Sequence, residues 1–121
     1  MSYLAVNGLT LMPEAPATGG TFVITSIPST TVKVDNKGAF FGQLGFTVIG
    51  LVVGGLPQAD PSPVPGVIVG TGEHMKDNQQ KAVLEGDSVT IVVNVTSGAS
   101  VQPTSVTIKI SAAGQTSVNI S

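Results

Sequence analysis

The chain has 121 residues, five basic and seven acidic side chains, a formal charge of −2 and no cysteine. With no basic stripe a nucleic-acid surface is not expected, and with no cysteine disulfides and thiolate metal sites are excluded. Charged residues make up 10% and aromatics 4%, so the core must come from Val, Ile, Leu and Ala, which suit pleated layers.

Taken in order, Tyr3–Leu11 places Leu4 and Val6, then Leu9 and Leu11, around Asn7-Gly8, a strong two-residue hairpin signal. The opening MSYLAVNGLTLMPE has no basic stretch and no cleavage pattern, so no secretory signal is expected, and synthesis in the cytoplasm follows. Pro13–Gly20 has loop composition, and Thr21–Ile27 has strand composition up to Pro28. Val32 and Val34 share one face before Asp35-Asn36-Lys37-Gly38, which predicts a tight hairpin with Gly38 in the left-handed region. Ala39-Phe40-Phe41 returns, Gly42 and Gly45 break the strand, and Phe46–Val53 resumes it.

The apolar run Phe46–Leu56 is about half the ~20 residues of a membrane-spanning helix, and three glycines interrupt it. It reads as a buried strand and turn, so an integral membrane protein is not expected. Gly54–Gly66 holds four of the eight prolines and reads as a Pro/Gly-rich loop inside one domain of residues 1–121. Val67–Val69 is a short strand. His74–Leu84 admits a helix capped at Asp77 or Asn78, but comparison with Asp35–Phe41 favours a hairpin. Glu85-Gly86-Asp87 is a tight break. Val89, Ile91, Val93 and Val95 alternate clearly, as do Val106, Ile108 and Ile110 after a loop at Ser97–Thr104. Ala112-Ala113-Gly114 repeats the turn-then-glycine pattern, and Val118 and Ile120 close the last strand. The fold class is therefore all-β, a small domain of short, loosely related β-hairpins.

Little in this pattern carries chemistry. His74 is the one histidine and reads as a solvated loop residue. The sharper reading is a metal held by three symmetry-related copies, with Glu73 or Asp77 orienting the ring. Glu85-Gly86-Asp87-Ser88 and Asp60 read as turn chemistry. No serine sits in a Gly-x-Ser-x-Gly elbow, and Gly19-Gly20 and Gly54-Gly55 are not phosphate loops. An enzyme is not expected, nor is a cofactor.

Val32-Lys33-Val34-Asp35-Asn36-Lys37-Gly38-Ala39 and Leu84-Glu85-Gly86-Asp87-Ser88-Val89 resemble the Val-x-Val-x-Asn-Gly turn and the Gly-Asp step of PAAR-like spike-tip proteins of contractile injection systems. The opening MSYLAVNGLTL and the closing Ala113-Gly114-Gln115 are similar to the ends of a PAAR-like subfamily. The family's three histidines and cysteine are reduced here to His74, and the Pro-Ala-Ala-Arg signature is absent. The resemblance implies a cone-like, pseudo-repeated, non-enzymatic tip capping a trimeric β-helical spike or needle of a phage tail or secretion machine and aiding passage through a target envelope. Its base would use the first and last strands, with Leu4, Val6, Val118 and Ile120 as partner-binding residues, and Gly38, Gly86 and Gly114 as turn glycines. The alternatives are another virion or tail subunit that oligomerises with itself, and a ligand-binding β domain of an adhesin, against which the scarcity of aromatics counts.

Overall fold

Alternation with a period of two puts every second side chain on one face of a strand, and here it produces three long arms. The computed structural model describes the backbone at residues 2–34, 36–77, 80–115 and 119–120, and the side chains of these residues other than 2, 73–77 and 119–120. In chain order the strands are β1 (Ser2–Tyr3), β2 (Thr10–Pro13), β3 (Ala17–Ile24), β4 (Lys33–Val34), β5 (Lys37–Gly38), β6 (Gln43–Val53), β7 (Leu56–Pro57), β8 (Val64–Val69), β9 (Gly72–Asp77), β10 (Gln80–Ala82), β11 (Ser88–Ser97), β12 (Ser100–Ala112) and β13 (Asn119–Ile120). Among the described residues there is no helix, and none long and apolar enough to cross a membrane. The all-β expectation holds, and His74–Leu84 is the hairpin β9–β10, not a helix.

All pairings are antiparallel. One sheet has β6 at its centre, with β3 on one side and β7 and β8 on the other. The second has the order β11-β12-β2. Their facing sides make the main core. Leu44, Phe46, Val48, Leu51 and Val53 come from β6, Ile91, Val93 and Val95 from β11, and Val106, Ile108 and Ile110 from β12. Phe46 also meets the ring of Phe22 at 6.2 Å in a tilted arrangement, a geometry that aromatic pairs favour.

The buried phase of β6 changes from even to odd numbers between Val48 and Leu51. A strand can do this only where one residue departs from extended geometry, and Gly50 does so at φ 82°. Its partner strand changes phase beside it at Gly19 and Gly20. A Cβ on Gly20 would stand 2.7 Å from Leu51 Cδ2, so the absent side chain is the space that Leu51 fills.

Several loops expected from composition are strands. Pro13–Gly20 contains the end of β2 and the start of β3, joined by a turn in which the Ala17 N–H donates to the Glu14 carbonyl. Gly54-Gly55 is a two-residue hairpin turn with both residues at positive φ, and β7 and the start of β8 lie in the proline-rich segment, whose residues 58–63 form the expected loop. Ser97–Thr104 is the tight Gly98-Ala99 turn followed by strand. Gly45 does not break β6; it lies within it. Composition failed at these places because Pro, Gly and Ser were tolerated in strands by pairing that their neighbours supply. Asn7-Gly8 is a turn, with the Leu9 N–H donating to the Val6 carbonyl, but its flanks pair with other parts of the chain and not with each other.

Candidate functional site

Three short apolar segments, Leu4-Ala5-Val6, Ala39-Phe40-Phe41 and Ala82-Val83-Leu84, meet around one point. The Ala5 N–H donates to the Val83 carbonyl, the Val83 N–H to Phe40, and the Phe40 N–H to Ala5, at 2.9, 3.0 and 3.1 Å. A second ring surrounds the first. The Asn7 N–H donates to the Gly38 carbonyl, Gly42 to Lys81, and Glu85 to Tyr3, at 2.8, 2.7 and 2.8 Å. Bridges Leu4↔Leu84, Val6↔Ala39 and Phe41↔Ala82 complete the set. Each bond of each ring is repeated by a residue at the same place in the other two segments, so the chain carries a pseudo-threefold axis.

The rest of the topology follows the same axis. After each ring segment a pair of arms leaves and returns: β2–β3, β6 with β7–β8, and β11–β12. Each returning stretch ends in a short strand that pairs with the strand opening the next unit: β4 with β5, β9 with β10, and β13 with β1. The ring separates two apolar clusters. Ala5, Phe40 and Val83 belong to the main core, while Leu4, Val6, Ala39, Ala82 and Leu84 form a second cluster with Val34. Period-two alternation explains the division, since the middle residue of a three-residue strand faces opposite to its neighbours. The sequence signal was three apolar residues followed within two positions by a glycine, as in LAVNG, AFFG and AVLEG.

Leu4 and Val6 are therefore not partner-binding residues. Both are 0% exposed and lie within the second cluster, packed with Val34, Ala39, Ala82 and Leu84. Val118 lies outside the described residues. The backbone of Ile120 pairs with Ser2 in the β1–β13 pair. His74 lies in β9, and its side chain, like those of Glu73 and Asp77, is outside the described set. Among the described residues no group of three or more His, Cys, Asp or Glu is placed to hold a metal.

Gly86 and Gly114 take positive φ, 95° and 89°, as turn glycines should. Gly38 does not; Asn36 takes the left-handed position at φ 65° instead, which asparagine tolerates. Gly38 is needed for a different reason: a Cβ there would run into the Ser29 carbonyl and stand 2.8 Å from Pro28 Cβ.

Polar side chains near the ring serve the backbone. Asp87 accepts from the Leu84 N–H at 2.8 Å and from the Thr71 hydroxyl at 2.5 Å. Glu85 Oε1 accepts from the Ala113 N–H, Lys37 Nζ donates to the Gly114 carbonyl, and the buried Gln115 Nε2 donates to the Leu4 carbonyl. Away from the ring, Asp60 clamps the two sheets where they meet at β7 and β11. It accepts from Gln58 Nε2 at 2.9 Å, the Asn94 N–H at 3.0 Å and Asn94 Nδ2 at 2.9 Å. Gln58 Oε1 in turn accepts from the Leu51 N–H. Burial pushes the Asp60 carboxyl up, but the hydrogen bonds from Gln58 and Asn94 outweigh it and hold the group below its ordinary 3.8. This carboxylate is thus committed to the fold.

A groove of about 680 Å³ lies between the second unit and the β9–β10 hairpin, lined by Ser26, Phe41, Gln43, Val69 and Gln80 among others. Its hydroxyl, Ser26 Oγ, accepts from the Gly45 N–H at 2.7 Å, and among the described residues no carboxylate or imidazole lines the groove. Comparisons with family models, curated proteins and solved structures return no match. The reading of the site accordingly rests on its own geometry.

Proposed function

We propose that this chain is a non-enzymatic structural tip that caps the trimeric central spike of a contractile tail or secretion machine and leads it through a target envelope. The observation that carries this reading is the pseudo-threefold ring in a single chain. A partner with true threefold symmetry presents the same surface three times around its axis. A chain with three related units around one axis can meet all three protomers at once, whereas an asymmetric ligand would match one and leave two uncovered. The PAAR-like turns at Val32–Ala39 and Leu84–Val89 lead to the same reading, since tips of that family cap such spikes. In this role the protein acts by shape and packing and needs neither nucleophile nor cofactor.

The direct test is complex formation with a trimeric β-helical spike protein of a contractile tail or secretion machine, measured by native mass spectrometry. One copy of this protein per spike trimer is the expected stoichiometry. A self-assembled homo-oligomer that ignores the spike would instead favour a tail subunit, and a co-purifying small ligand would favour an adhesin domain.

A further inference from the structure

We infer that the groove between the second unit and the β9–β10 hairpin is a peptide-binding site. It takes a short segment of a partner polypeptide, and the Phe41 N–H donates to one carbonyl of that segment. The site belongs to one unit only and does not depend on the spike-tip reading.

The pseudo-symmetry identifies what is missing there. The residues that follow the three ring centres are Val6, Phe41 and Leu84. The Val6 N–H donates to the Ala113 carbonyl at 2.9 Å, and the Leu84 N–H to the Asp87 carboxylate at 2.8 Å. Among the described residues the Phe41 N–H has no acceptor. The cause is a tighter turn. Val6–Leu9 and Leu84–Asp87 are four-residue turns, closed by the Leu9 N–H on the Val6 carbonyl and the Asp87 N–H on the Leu84 carbonyl. Gly42 instead leads straight into β6, and the Gln43 N–H closes on the Phe41 carbonyl. The returning stretch of this unit stays clear as well. Its Thr25 and Ser29 N–H groups donate to the Gly45 and Ala39 carbonyls, and Ile27 is 90% exposed. An N–H facing a groove calls for an acceptor oxygen. In the first unit a stretch of polypeptide supplies it: Gly114, with no Cβ, approaches Gly8 and Leu9, and Gln115 Nε2 donates to the Leu4 carbonyl.

The lining suits the same occupant. Two cavities of about 680 and 580 Å³ share Phe41 and Gln80, each within the usual size of a ligand site. Ile27 walls one and Val69, 59% exposed, the other, so apolar side chains of a peptide find cover in both. Gln43 and Gln80 each bring an amide donor and acceptor, the pair that a peptide group requires. The Gln80 amide lies over Gly42, where a Cβ would stand 3.0 Å from its Cδ, so the glycine keeps the passage open. The wall at residues 29–32 is fixed, with Ser29 Oγ accepting from the Thr31 and Val32 N–H groups at 3.2 and 3.1 Å. Among the described lining residues Lys81 is the one charge, so nothing there repels a carbonyl oxygen. A sugar would call for an exposed aromatic face, and Phe41 is half-buried against the second cluster.

The test is amide-resolved NMR on the full chain, with the blocked peptide acetyl-Ile-Ser-Ala-Ala-Gly-Gln-amide as probe. Its sequence is that of residues 110–115, which include the filler of the first unit. In the free protein the Phe41 amide should exchange with solvent much faster than those of Val6 and Leu84. Adding the peptide should shift the Phe41, Gln43 and Gln80 resonances in one saturable titration and slow the exchange of Phe41. Ile27→Ser with Val69→Thr removes apolar wall from both cavities and should weaken binding about tenfold. Val92→Thr, at an equally exposed valine on the other sheet, should stay within about twofold. Thermal unfolding checks that both variants fold. If the Phe41 amide of the free protein is as protected as Val6 and Leu84, the chain fills the position itself and the site is overturned. It is overturned equally if the peptide leaves these resonances unmoved, or if maltotriose moves them and the peptide does not. None of these outcomes bears on spike binding, which the stoichiometry measurement decides separately.

Discussion

Asp60 offers the sharpest measurement of how the two sheets are held together. In Asp60→Asn the side chain keeps its shape but loses its charge and one acceptor oxygen, so an amide N–H₂ faces either Asn94 Nδ2 or both Gln58 Nε2 and the Asn94 N–H. Three hydrogen bonds end on this carboxylate, at 2.9, 3.0 and 2.9 Å. Charged acceptors contribute about 1.5–3 kcal/mol each when buried. Asp60 is half-buried and Asn94 exposed, so water replaces part of the loss, and the net cost should be about 1–2 kcal/mol. In a domain of this size that corresponds to a midpoint lower by roughly 4–10 °C. The pH dependence fixes the sign. The folded carboxyl lies below its ordinary 3.8, so the unfolded chain binds the proton first. The stabilisation is fully present above the unfolded value and is lost as pH falls through the folded one. Melting scans from pH 7 to pH 2 should show the parent and Asp60→Asn converging below about pH 4. Equal midpoints at pH 7, or a gap that persists unchanged in acid, would refute the claim that this carboxylate clamps the seam.

Three further outcomes are expected. Gly38→Ala should destabilise by more than Gly86→Ala, because the first drives a Cβ into the Ser29 carbonyl while the second has open space and only a left-handed φ to strain; denaturant unfolding should give about 1–2 kcal/mol for Gly86→Ala. Phe40→Ala removes a ring side chain 2% exposed in the main core and should cost about 3–5 kcal/mol, visible as an earlier urea midpoint at unchanged slope. A circular permutant that links residue 121 to residue 1 and opens the chain between 35 and 36 should keep its β spectrum and cooperative melting, because Ser2 already pairs with Ile120 and the three short hairpins are interchangeable by symmetry; loss of cooperativity would contradict the threefold equivalence.

Residues that decide their own geometry were legible in the sequence. Ile91, Val93 and Val95, and Val106, Ile108 and Ile110, alternate and are buried as their spacing demands. Gly86 and Gly114 sit after turn residues and take the left-handed conformation. The hairpin at β9–β10 was recognisable by its likeness to the one at β4–β5. Misreadings arose where pairing by a distant strand overrode local preference. Pro13 and Pro57 lie in strands, Gly45 lies mid-strand, and the left-handed position near Gly38 is taken by Asn36, while Gly38 is required by the close approach of Ser29.

The candidate site belonged wholly to that second class. Ala5, Phe40 and Val83 are joined through backbone N–H and carbonyl groups, and every residue type except proline offers the same pair. Their side chains mark them only as apolar triplets followed by a glycine, a pattern that does not say they join, and Leu4 and Val6 looked as suited to a docking surface as to a core. Strand type, turn positions and low charge are properties of neighbouring residues, and they were set before the chain closed. The closure of three units around one axis and the burial of Leu4 and Val6 in the second cluster arise from contacts between residues far apart in the chain. Only the folded chain brings those residues together, and it is this arrangement that gives the three related segments a common axis.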